Sequence, residues 1–301
     1  MVSYAYRSAA PVCGGNRPRR CRLRYTGAWR KTTTTGFTLV ELLLVIAIVL
    51  LLVAMLMPMA GRSMERARRA GCAGNLRKIG VGTTLHAADH DGYFITVRHR
   101  DRDVENQPAS IHAIDPSEWE EFVAVGLGGP EERVEGLTGS VVRGSPFTCP
   151  NRPNFPHYEP GRLNQYTLGY IYLGGVEKWY SDVGSLGRVR SRSPVRVGTA
   201  GSQWVMAADG NTKTDGAWGG GRLTAWRNIP PHRTRDNLPA GGNHLHVDGS
   251  VRWVSFDKML RIHSWWWLIR EVYFYQDDIG ELEDHRESLR PSPEDISDYI
   301  W

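Results

Sequence analysis

The strongest hydrophobic feature of the chain is a run without a period. Residues 37–57 read FTLVELLLVIAIVLLLVAMLM, and residues 42–57 are apolar at all 16 positions. A helical period takes over after Gly61: Met64, Ala67, Ala70, Ala73, Leu76, Ile79 and Leu85 recur at helix spacing and predict a helix to about residue 90. Gly71, Gly74, Gly80 and Gly82 oppose it, each by roughly 1 kcal/mol relative to Ala. A continuous rod from Phe37 would be roughly 80 Å long, and Pro58 should kink it by removing a backbone donor. Beyond residue 93 the pattern changes to short aromatic and β-branched runs broken by Gly, Pro and Asn. These predict strands at 166–173, 195–199, 204–208, 244–247 and 250–256, and a short helix at 118–125. The dense apolar segment 265–274 reads as a helix packed on the sheet, followed by an acidic end with Pro291 and Pro293.

Charge sharpens the reading of the apolar run. Residues 1–36 carry eight Arg or Lys and no acid, which leaves 29 basic against 32 acidic residues in the remainder. The positive excess therefore sits ahead of the run rather than on the folded body, which argues against a nucleic-acid partner. About 20 apolar residues cross a bilayer, and basic flanks stay on the cytoplasmic side. The expectation is a single-pass protein of the inner (cytoplasmic) membrane, with its N-terminus cytoplasmic and its C-terminal domain periplasmic. A lone carboxylate, Glu41, near the start of such a helix needs a partner.

The string Gly36-Phe37-Thr38-Leu39-Val40-Glu41, behind a basic leader and ahead of the apolar helix, resembles the type IV prepilin cleavage site. The chain is thereby similar to type IV prepilins and type II secretion pseudopilins. That resemblance implies cleavage by prepilin peptidase between Gly36 and Phe37 and N-methylation of Phe37. It implies assembly through Glu41, paired with the α-amino group of a neighbouring subunit's Phe37, and through Pro58, where related helices also carry proline. The leader, 36 residues, is long for the family. The implied fold is α+β and pilin-like, a long N-terminal transmembrane helix packed on an antiparallel sheet. The expected organisation is a removed leader (1–36), a transmembrane and assembly helix (37–61), the soluble half of that helix (62–92), a globular domain (93–256) and an aromatic then acidic extension (257–301). The expected partners are prepilin peptidase, other pilin-like subunits, an inner-membrane assembly platform and the lipid bilayer.

Two further segments extend the likeness. Cys72-Ala-Gly-Asn75-Leu76-Arg77, followed by Asp89-His-Asp91-Gly92-Tyr93, is similar to a large subgroup of these proteins, and in that subgroup a later Cys-Pro recurs, here Cys149-Pro150. The resemblance makes Cys72–Cys149 a candidate disulfide, since Cys13 and Cys21 lie in the leader. Gly241-Gly242-Asn243-His244-Leu245-His246-Val247-Asp248-Gly249 resembles the C-terminal signature of a subgroup known for a His, nine residues, then Asp-Gly. Here Leu238 occupies the His position, and the nearest upstream His is His232. Asp248-Gly249 reads as a hairpin turn. His244, His246 and Asp248 alternate and could face one way, so they are a candidate transition-metal set set against a plain turn. Asp209, Asp215 and Asp248 are weaker candidates for Ca²⁺, because no clustered acidic loop appears. No cofactor is required by any motif. The expected function is a non-enzymatic pseudopilin subunit of a type II secretion or type IV pilus-like filament. The alternative is a membrane-tethered enzyme or carbohydrate-binding protein that borrows a prepilin export signal.

Overall fold

The computed structural model describes residues 37–97, 111–161, 164–219, 229–265 and 270–297, except for the side chains at 56–60 and 265. The leader with Gly36, and residues 266–269 of the aromatic segment, lie outside the described residues.

Helix α1 spans Leu39–Asp89, 51 residues. It begins at a reciprocal capping box. The Glu41 N–H donates to Thr38 Oγ1 at 3.2 Å, while the Thr38 N–H and hydroxyl donate to Glu41 Oε2 at 2.9 and 2.8 Å. It ends where Asp91 and Gly92 turn left-handed, at φ 51° and 83°, and the Gly92 N–H closes on Ala87 O at 2.8 Å. The chain divides into two units at Val53/Ala54. In the first, every large apolar side chain of α1 is exposed, from 44% at Val53 to 73% at Leu39.

The expected membrane span is overturned: among the described residues, no helix is long and apolar enough to cross a membrane. A charged residue, Glu41, stands in the first turn of this apolar helix. The assignments to a single-pass inner-membrane protein and to a secretion pseudopilin fall with the span.

In the second unit, α1 buries a stripe through Cys72, Leu76, Ile79, Thr83 and Ala87. Among the described residues, the remainder of this unit is a large antiparallel β domain of fourteen short strands. In chain order these are β1 (Ala113–Ile114), β2 (Glu131–Glu132), β3 (Ser140–Val142), β4 (His157–Glu159), β5 (Gln165–Thr167), β6 (Tyr170–Tyr172) and β7 (Lys178–Ser181). There follow β8 (Gly187–Arg190), β9 (Val205–Asp209), β10 (Asn211–Thr214), β11 (Gly241–His246), β12 (Val251–Ser255), β13 (Leu260–Trp265) and β14 (Arg270–Phe274). They form four sheets: β1-β5-β4-β3-β2, β12-β11-β9-β6, β10-β14-β13 and the β7-β8 pair.

The pilin-like plan of one long helix on one sheet is therefore corrected. Strands of two to six residues, punctuated by Gly and Pro, cannot continue into one broad sheet, so the chain changes sheet repeatedly. The buried stripe of α1 meets more than one of them. Thr83 Oγ1 lies 3.0 Å from Met206 Sδ on β9, while Asn75 Nδ2 donates to Thr148 O, in the loop between β3 and β4, at 2.8 Å.

The short helix α2 (Pro116–Ala124) forms where expected, with Pro at its start and Trp119 and Phe122 inward. Trp119 stacks on Tyr166 at 4.7 Å and Phe122 meets Phe147 edge-on at 5.1 Å. The Asp248-Gly249 hairpin joins β11 to β12 as expected, with Gly249 at φ 79°. Two expectations differ from the structure. Residues 195–199 form turns, and the expected C-terminal helix is replaced by β13 and β14. In that pair Leu260, Ile262, Val272 and Phe274 are buried, and the strands run antiparallel from the Leu260–Phe274 pair to the Trp265–Arg270 pair.

Candidate functional site

The densest cluster of chemically capable side chains lies beneath α1, and it combines residues distant in sequence. Cys72 comes from the helix, Cys149 from the loop between β3 and β4, Asp209 from the last position of β9, and His232 from the segment between β10 and β11. Their donor atoms all lie within 4.8 Å of one another, and all four residues are buried. The Cys149-Pro150 turn is held to the helix by the Asn75 bond to Thr148 O, so the second sulfur arrives 3.5 Å from the first. The candidate disulfide partners are thus adjacent, but both are free thiols. Their mutual hydrogen bond, with burial, pushes the Cys72 thiol up.

Asp209 reaches the cluster because Gly242 permits a close approach. A Cβ on Gly242 would stand 2.9 Å from Asp209 Cβ. The Asp209 Oδ2 atom accepts the Asn243 backbone N–H at 2.7 Å and its side-chain N–H at 2.9 Å. Asn243 also donates to Arg69 O at 3.2 Å, which ties β11 to α1. Gly242 and Asn243, singled out in sequence as turn-motif residues, thus belong to the strand wall of this cluster, while Asp248 and Gly249 form the exposed hairpin turn.

His232 is the residue that spacing missed. The segment between it and Gly241 folds into a closed excursion. The Ala240 N–H returns to His232 O at 2.9 Å, and the Thr234 N–H bonds Leu238 O at 2.9 Å. His232 thereby lies close to Asn243 through their shared neighbour Asp209. The signal available was the polar turn Asp236-Asn237 inside that interval. The Nδ1 atom pairs with Glu65 Oε1 at 2.6 Å, and Nε2 faces Asp209 Oδ2 at 3.2 Å without making a hydrogen bond. Burial opposes a charge on this imidazole, but the Asp209 and Glu65 carboxylates outweigh it and push the pKa up to about 10. Glu65 is pushed up by its own partial burial, yet its bonds to His232, Arg69 and Asn151 hold it below the usual carboxylate range. Arg69 closes the rim, 3.2 Å from Glu65 and 3.9 Å above the Trp253 ring.

The sequence-based metal sets are placed differently. His244 is fully buried with both ring nitrogens engaged: Nδ1 with Gly242 O at 3.0 Å, and Nε2 accepting the Tyr275 N–H at 3.1 Å. His246 Nδ1 contacts Gln203 O at 2.9 Å, and Asp248 accepts from Gln203 and Ser250 at the surface. Asp209 is buried in the cluster beneath α1, whereas Asp215 and Asp248 are exposed.

Burial, only partly offset by the Gly242 bond, lowers the His244 pKa to about 4. Burial also lowers His112 well below its usual value. The unfolded chain takes up these protons first as pH falls. Stability from His244 is complete above about pH 6.5 and is lost as pH falls toward about 4, and His112 acts in the same direction. For His244 the loss should reach about 3 kcal/mol. Urea midpoints measured across that window should fall with acid, and the slope should flatten in His244→Gln; an unchanged slope would exclude a neutral buried His244.

The buried cluster ties α1 to β9, β11 and two loops through Asn243, His232 and the paired thiols. Searches against protein-family models, curated proteins and solved structures find no match for this chain.

Proposed function

We propose that the chain is a non-enzymatic structural subunit of a type IV pilin-like filament, cut by prepilin peptidase after Gly36 and assembled through the apolar half of α1. The observation that carries this reading is the exposure of large side chains all around residues 39–53. A helix that is apolar on every side is not stable facing water and calls for a surrounding partner. Neighbouring copies of the same helix supply a matching surface. Glu41 adds register. In the single chain its carboxylate is occupied by the Thr38 capping box, and cleavage would create a cation, the Phe37 α-amine, that a neighbouring Glu41 can share. Pairing the two removes the cost of burying either charge alone in the bundle. The partners of this reading are the peptidase, further pilin-like subunits and the platform that assembles them.

The test is made on the full chain expressed with a prepilin peptidase. The mature protein should begin at a methylated Phe37, whereas Gly36→Leu should retain the whole leader by intact mass. Trimming of Gly36→Leu at the same bond would end the reading. Glu41→Ala should be cut normally but should lower filament yield by about tenfold or more, the equivalent of one shared charge pair.

A further inference from the structure

We propose that Cys72, Cys149, Asp209 and His232 form a closed tetrahedral zinc site that joins α1 to β9, to the loop between β3 and β4 and to the segment between β10 and β11. The donor chemistry is that of structural zinc: two thiolates, one imidazole and one carboxylate, with no place left for water or substrate. The spacing fits. Zinc bonds of about 2.3 Å to sulfur and about 2.0 Å to nitrogen or oxygen give tetrahedral edges of about 3.8 Å for S···S and about 3.3 Å for N···O. The separations given by the fold are 3.5 Å between the sulfurs and 3.2 Å between His232 Nε2 and Asp209 Oδ2, the oxygen that also accepts from Asn243. Four donors from four separate chain segments thus converge within 4.8 Å of one another, with two of their separations close to those of a tetrahedral zinc site.

Two buried atoms support a ligand rather than a purely internal network. Among the described residues, His232 Nε2 and Asp209 Oδ1 are both fully buried without a hydrogen-bond partner. Such orphaned atoms are costly unless something binds them. The surrounding groups are arranged as outer supports of a metal centre. Glu65 takes the Nδ1 side of His232, which turns Nε2 toward the other donors, and Asn243 fixes the Asp209 carboxylate through Oδ2. Binding is not a redox step. Zn²⁺ displaces one proton from each thiol and one from the His232 imidazolium, so that the ion with its four ligands carries one net negative charge, with Arg69 close to Glu65.

The inference is independent of filament assembly. Full-length protein is purified with reductant, and metal is counted by mass spectrometry. One zinc per chain is expected. Cobalt substitution should give the intense near-ultraviolet thiolate-to-metal band and the visible bands of tetrahedral geometry. Both should be lost in a Cys72→Ser, Cys149→Ser double variant. Because that variant could fail to fold, a second measurement uses the unaltered chain: a strong chelator should lower its melting temperature, and zinc but not magnesium should restore it. A metal-free protein with two free thiols, a metal-free protein with a Cys72–Cys149 disulfide, zinc retained by the double variant, or a melting temperature indifferent to chelator would each overturn the site.

Discussion

Asp209→Ala should destabilise the second unit by about 3–5 kcal/mol, read as a fall in the urea unfolding midpoint. The size follows from what the carboxylate holds. Two N–H groups of Asn243 lose their common acceptor, and a fully buried His232 loses one of its two counter-charges. Each buried donor left without a partner costs about 1–3 kcal/mol, and an uncompensated imidazolium adds to that unless it gives up its proton. The Asp209→Ala, His232→Ala pair should lose less than the sum of the single changes, because removing the histidine also removes the unpaired charge. A cost below about 1 kcal/mol for Asp209→Ala would mean that the cluster is solvated or loosely packed, contrary to its burial.

The same cluster shows why sequence alone reached only part of the structure. The end of α1, the position of α2 and the β11–β12 hairpin were legible, because each is set by local chemistry: a left-handed Gly92, a proline at a helix start, an Asp-Gly turn. The five-stranded sheet was not. Its strands have two or three residues each, too few for a period of two to be seen. Strand β13 and its partner β14 were misread because a cluster of aromatic side chains says apolar without saying which period. His232 escaped because spacing was counted along the chain, while the fold counts across a closed loop. Glu65 and Arg69 escaped because a hydrophobic pattern places charged residues outside, and here they form the rim of a buried site. The Cys72 and Cys149 pairing was reached only through resemblance, and what the structure adds is that their sulfurs sit with a carboxylate and an imidazole rather than alone.

Leu76→Ala should cost about 2–5 kcal/mol, whereas Leu85→Ala on the same helix should stay within about 0.5 kcal/mol. The apolar spacing that predicts α1 treats the two leucines as equivalent, both on the line Met64, Ala67, Ala70, Ala73, Leu76, Ile79, Leu85. The structure separates them. Leu76 is fully buried, while Leu85 is 54% exposed and Met64 57% exposed. The docked stripe instead passes from Glu65 and Arg69 through Cys72, Leu76 and Ile79 to Thr83 and His86, spacings of three and four that follow the helical turn. Gly80 lies on this inner side, where a Cβ would come within 3.1 Å of Leu245 on β11, so its cost to the helix is exchanged for a closer helix-to-sheet approach. The helix is thus phased by its polar anchors at one end and by small residues at the other, with Leu76 and Ile79 between them supplying the apolar contact. Equal losses for Leu76→Ala and Leu85→Ala in chemical unfolding would place the docked face on the line that hydrophobicity alone predicts, and would rotate Glu65 and Cys72 away from Asp209 and His232.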